Sequence, residues 1–137
     1  MVCRNLFNNT VLVGALAENS ACAFLENQGL TLIEKNFIAL NANGKQIGEV
    51  DLIMQDAESL VFIEVKKRSY DDYGNVLEMV NKQKQSRIIC TAKRYLLEKE
   101  KYDKVYCRFD VIGISPDEEN PHFQRIEWIK NAFEVQY

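Results

Sequence analysis

Residues 48–68, GEVDLIMQDAESLVFIEVKKR, read as two β-strands joined by a polar turn, and this ribbon constrains the fold more than any other stretch. Its limbs are rich in Val, Ile, Leu and Phe, the residues a pleated core accepts. Yet they also carry Glu49, Asp51, Glu64 and Lys66, charges that a strand core ordinarily rejects. Side chains at i and i+2 point to one face of a strand, so Glu49 pairs in direction with Asp51, and Glu64 with Lys66. Val50, Leu52, Ile63 and Val65 then occupy the opposite faces, which suits burial against a helix. A turn centred at Ala57–Glu58 sets Asp51 across from Glu64 and Glu49 across from Lys66. A slip of one residue would put those charges on opposite sides.

The surrounding segments supply layers for such a ribbon. Thr10 is placed to cap a helix running to about Asn27, with Gly29 as its stop signal. LTLIEKNFIALN at 30–41 reads as a strand, and Asn43-Gly44 predicts a two-residue hairpin turning into KQIGEVDLIM. SYDDYGN at 69–75 reads as a loop. From Val76 to Lys101 a single long helix is expected, with Val80, Ile88, Ala92 and Tyr95 on one face. VYCRFDVIGI at 105–114 is a further strand, and residues 122–133 predict a short strand entering a terminal turn or helix. This order predicts one α/β domain over residues 1–137, a sandwich whose mixed sheet starts as a meander and is flanked by helices.

Composition narrows the chemistry. The longest apolar run, VLVGALA at 11–17, falls far short of the roughly 20 residues of a membrane span, so no membrane partner is expected. Glu18 and Asn19 interrupt that run, which favours an internal amphipathic helix over a secretory leader. Cys3, Cys22, Cys90 and Cys107 form no CxxC pair and no zinc spacing with His122. Unpaired thiols suit a reducing, cytoplasmic setting, and any metal held here would be held by oxygen, favouring Mg²⁺ or Mn²⁺.

Net charge is −3, but it is unevenly spread. Residues 66–108 hold 12 basic and 6 acidic side chains, while both flanks are net acidic. A middle segment of opposite sign is what a phosphate-binding surface would produce; a solvated helix laced with ion pairs would produce it equally well.

Two carboxylates a side chain's width apart do not both ionise without cost, because like charges raise a pKa. A divalent cation removes that cost. Asp51 and Glu64 would supply its carboxylate oxygens, Val65 a backbone carbonyl, and Lys66 a charge to stabilise a phosphate in transit. Such a set suits phosphodiester hydrolysis. A cross-strand ion pair on a wet sheet face is the plainer reading of the same charges.

At these residues the sequence resembles the PD-(D/E)XK nuclease superfamily, whose pattern is an acid followed by Glu-x-Lys on the next strand. More narrowly it resembles the bacterial YraN-like family of endonuclease-like proteins, similar in turn to archaeal Holliday-junction resolvases. AENSACAFLENQG matches the opening helix, GEVDLIMQD and LVFIEVKKR the central signature, VNKQKQSRI a helix motif, CRFDVIGI a late strand and RIEWIKNAF the ending. The resemblance implies a restriction-endonuclease-like sandwich, with Asp51 and Glu64 as metal ligands and Lys66 as catalytic lysine. It implies that Glu18 is a helix-borne accessory ligand, with Glu49 a further ligand or the counter-ion of Lys66. Lys82 and Gln83 match the helix motif and would touch phosphate, together with Lys67, Arg68 and Arg87. Ala17 stands where many relatives have Gly, and Glu127-Trp128 where a His is common.

The function expected is a Mg²⁺-dependent (or Mn²⁺-dependent) endonuclease acting on DNA, with branched or damaged DNA as candidate substrates. A junction-resolving enzyme needs two active centres, which makes a homodimer part of that expectation. A non-catalytic nucleic-acid-binding module, or a protein-interaction domain on the same fold, would carry the same motifs.

Overall fold

The computed structural model describes residues 10–69, 75–117, 119 and 123–135, with side chains from Leu16 onward. Cys3, His122 and most of the 69–75 loop lie outside the described residues. The elements are α1 (Thr10–Asn27), β1 (Thr31–Leu40), β2 (Gln46–Asp56), β3 (Ser59–Lys67), a 3₁₀ turn (Val76–Met79), α2 (Lys82–Glu98), β4 (Tyr106–Pro116) and β5 (Gln124–Phe133). The five strands form one sheet in the order β1-β2-β3-β4-β5. The β3–β4 pair is parallel and the other three are antiparallel, so the sheet is mixed and begins as a meander. A parallel neighbour needs a crossover, and α2 provides it.

One helix covers each face. Ala17, Ala21, Cys22 and Leu25 of α1 pack on Leu52, Met54, Val61, Ile63 and Ile112. Ile88, Ala92, Tyr95 and Leu96 of α2 pack on Val50, Ile53, Leu60, Phe62 and Val111. β2 and β3 therefore bury both faces, which is why their cores read as continuous apolar runs. Among the described residues, no helix is long and apolar enough to cross a membrane.

Four local expectations are corrected. The stretch 76–101 is not one helix. Asn75 Oδ1 accepts from Glu78 N–H (3.2 Å) and Asn81 Oδ1 accepts from Lys84 N–H (2.8 Å), so two caps divide it into a 3₁₀ turn and α2. Val80 still reaches the core, but from the link between them. The first hairpin loop is wider than two residues. Asn41 Oδ1 accepts from both Asn43 N–H and Lys45 N–H, Gly44 takes φ 79°, and pairing resumes at Leu40↔Gln46.

The chain end is a full strand, β5, and enters no helix. Its continuity depends on Asp110 of β4, fully buried, whose Oδ1 accepts from Asn131 N–H (2.9 Å) and whose Oδ2 accepts from Trp128 Nε1 (3.0 Å). Asn131 takes φ 52° there, and Phe133 beyond it stacks on Phe109 at 5.1 Å. Finally, Val50 and Leu52 do not share a face. Val50 and Ile53 belong to the α2 core while Leu52 and Met54 belong to the α1 core, so strict alternation breaks around Asp51.

Candidate functional site

The break around Asp51 coincides with a fork in the sheet. The β2–β3 ladder runs from Asp56↔Ser59 to Leu52↔Ile63 and ends there. Beyond it, β2 continues paired to β1 through Val50 and Glu49, while β3 continues paired to β4 from Glu64 to Lys67. The turn lies at Ala57–Glu58, as the ribbon's pattern requires, with Ala57 at φ 52°. Asp51 sits in the fork, where its Oδ2 accepts the Val65 N–H at 2.8 Å. A side-chain carboxylate thus takes the place a β2 carbonyl would hold in a continued ladder.

Glu64 follows the last ladder pair and is only 5 % exposed. Its Oε1 lies 3.5 Å from Lys66 Nζ and 3.3 Å from Lys84 Nζ, so two ammonium groups from β3 and α2 share one carboxylate oxygen. Asp51 has no such compensation. Burial, then repulsion from Glu64, push its carboxyl up to about 8, against the lowering effect of the Val65 hydrogen bond. Glu18 and Glu49 add smaller repulsions. Glu18 itself, half-buried on α1, is raised by burial; a hydrogen bond with the Asn36 side chain opposes that shift, and Glu49 adds to it. Asp51 and Glu18 therefore both feel the charges of Glu49 and Glu64. Among the described residues, no group of three or more His, Cys, Asp or Glu side chains is disposed to hold a metal ion.

The remaining candidates separate. Lys66 is one-quarter exposed beside Glu64. Lys67 is exposed at the end of β3. Arg68 is only 12 % exposed, and its Nη1 lies 3.5 Å from Glu127 Oε2. Lys82 and Gln83 are exposed in the first turn of α2, and Lys82 lines a groove with Ile89 and Phe133 on the β5 side. Arg87 is exposed and lines a different cleft, with Glu49 and Lys84. The basic middle segment is thus not one surface. Arg108, for instance, is spent on Asp110 and Asp56, each at 2.9 Å.

Two residues of this site escape a motif reading. Lys84 is one: stepping back four residues from Ile88 on the buried face of α2 gives Lys84, and a lysine on a core-facing stripe was the available signal. Asn36 is the other. It lies between Lys35 and Phe37, which pair with Leu52 and Val50, and so faces Asp51 across the β1–β2 ladder. Its φ of 52° is a left-handed conformation within a strand, which Asn tolerates better than most residues, and nothing local announces it.

The family described as Uncharacterised protein family UPF0102 matches residues 17–114, a span that holds the fork, Glu18 and α2. A UPF0102 protein of Coxiella burnetii is 45 % identical over 132 residues, covering 96 % of this chain and 100 % of the relative. One from Psychromonas ingrahamii is 44 % identical over 121 residues, 88 % of each chain. One from Pseudomonas aeruginosa is 37 % identical over 123 residues, 89 % of this chain and 92 % of the relative. The chain belongs to the UPF0102 (YraN-like) family.

Proposed function

We propose that this chain is a Mg²⁺- or Mn²⁺-dependent endonuclease of the PD-(D/E)XK type, hydrolysing phosphodiester bonds in DNA, with branched or damaged DNA as the substrates to try first. The observation that carries this reading is the fork. Asp51 is held there by the Val65 N–H and repelled by Glu64, and its carboxyl group is pushed up to about 8.

The residues fit a hard dication. Their donors are oxygen atoms, Asp51 is a carboxylate without a positive partner among the described ion pairs, and Mg²⁺ takes one or two protein carboxylates with waters and substrate phosphate. Asp51 and Glu64 would hold it, joined by the Val65 carbonyl, with Glu18 and Glu49 as outer carboxylates. When bound, such a cation would supply Lewis acidity and lower the pKa of a water, easing loss of the proton that leaves the nucleophile for phosphorus.

The chain's own groups do the rest. The Val65 N–H fixes one oxygen of Asp51, so this carboxylate is oriented before substrate arrives. Lys66 lies at 3.5 Å from Glu64 with a quarter of its side chain exposed, placed to meet charge growing on a phosphate oxygen. Exposed cations at Lys67 and Lys82 are available to the flanking backbone. Junction resolution would need a second copy to supply a second centre.

One observation favours a second reading. Lys66 and Lys84 already neutralise Glu64, as they would in a binding module with no cation. The discriminating experiment incubates the full chain with supercoiled plasmid and with a four-way junction, in Mg²⁺ and in EDTA. The expected result is nicking in Mg²⁺ only; binding without cutting in either condition leaves the binding-module reading.

A further inference from the structure

We infer that Lys84 and Arg87 form a backbone-phosphate subsite on the wall of the cleft between β2 and α2, holding a phosphate next to the one that lies over the fork. This rests on the nuclease reading above and names where the flanking strand is gripped.

The cleft has a volume of about 470 Å³, and its lining includes Gly48, Glu49, Lys84 and Arg87. It opens onto the carboxylates, since Lys84 Nζ lies 3.3 Å from Glu64 Oε1. Lys84 and Arg87 are three residues apart on α2 and so share a face. Lys84 is 40 % exposed, and Arg87, exposed as well, has no ion-pair partner within 4 Å among the described residues. An Arg with free donors beside a Lys suits a phosphate, which takes a forked guanidinium and a point charge together.

Gly48 shapes the floor. A Cβ there would run into Thr91 Oγ1 and come within 3.3 Å of the Arg87 carbonyl oxygen, so only glycine lets α2 lie this close to β2. Thr91 in turn donates from Oγ1 to that carbonyl at 2.7 Å, which fixes the turn carrying Arg87.

Glu49 sits in the same cleft and opposes an anion. Counting Glu64 and its partner Lys66 beside the cleft, three cations face two carboxylates and leave the region positive by a single charge, so losing either Lys84 or Arg87 weakens the hold on phosphate.

The test is binding of a labelled four-way junction by the full chain in EDTA, by fluorescence anisotropy between ~50 and 300 mM NaCl, where phosphate contacts set the salt dependence. Lys84→Gln and Arg87→Gln are compared with Lys101→Gln and Lys104→Gln, which remove the same charge in the turn between α2 and β4. Each cleft variant is expected to weaken binding by about 5- to 10-fold and to lower the salt slope by about one unit, and Arg87→Lys to recover part of the loss. The remote variants are expected to change binding less than 2-fold, a bound set by screening over roughly a Debye length. A cleft variant whose melting temperature falls but whose salt slope matches the parent's marks a structural ion pair and overturns the subsite. Parent binding and nicking with unchanged cleft-variant affinity overturns the subsite alone. No binding by the parent at ~50 mM salt overturns the nuclease reading with it.

Discussion

Glu64→Gln and Asp51→Asn are each expected to slow Mg²⁺-dependent nicking by on the order of 10²- to 10⁴-fold, the range found when one group of a preorganised site is lost. Both changes keep shape and remove charge. Asn at 51 retains an oxygen for the Val65 N–H, so the fork keeps its geometry. Gln at 64 withdraws the charge from both Lys66 and Lys84. The nicking rate of a supercoiled plasmid reads the loss. Junction binding in EDTA, read in parallel, is expected to hold or to strengthen for Glu64→Gln, because one repulsive charge is removed and Lys84 is released. Parent-like nicking by both variants would remove these two residues from the reaction.

The second large effect concerns stability without metal. The folded chain raises the Asp51 pKa from 3.8 to about 8, through burial and the Glu64 charge. The unfolded chain ionises near 4, so between pH 4 and 8 the folded state binds the extra proton. The contribution of this proton to stability is therefore full below about pH 4, falls as pH rises through that window, and is lost above pH 8. Asp51→Asn has no such proton to lose. In EDTA at pH 8 the variant is expected to exceed the parent by about 3 kcal/mol; full linkage over about four units sets a ceiling near 6, and water at the fork lowers it. The difference is expected to vanish towards pH 4. Urea unfolding at several pH values checks it, and a pH-independent difference would mean that Asp51 is not the group under strain.

The ribbon was legible because it is locally over-determined. Apolar residues on both limbs and a polar turn at Asp56–Ser59 favour the register centred on Ala57–Glu58, and the observed ladder from Leu52↔Ile63 to Asp56↔Ser59 keeps it, although the expected pairs beyond it, Asp51 with Glu64 and Glu49 with Lys66, are not part of that ladder. What the pattern did not contain was the end of the ladder at Leu52. Alternation describes a strand that continues, whereas here Asp51 takes the Val65 N–H and the strands part. The Asn81 cap was misread for a related reason, since Asn81 looks like a polar position on a long helix until its side chain is seen accepting the Lys84 N–H.

β5 was under-read because its stabiliser is distant. Asn131 stays in the strand through Asp110, 21 residues earlier, and no local propensity encodes that contact. Lys84 shows the limit of matching motifs by position. Lys82 carries the same charge two residues away, yet the helix phase fixed by the Asn81 cap and Ile88 turns Lys84 towards Glu64.

The central claim is that Asp51 and Glu64 together hold a hard dication, and anomalous diffraction from crystals soaked in Mn²⁺ tests it most directly. The expected result is one anomalous peak between these two carboxylates in the parent and none there in Asp51→Asn. A parent crystal with no peak in the fork at saturating Mn²⁺, or with manganese only elsewhere, would contradict it.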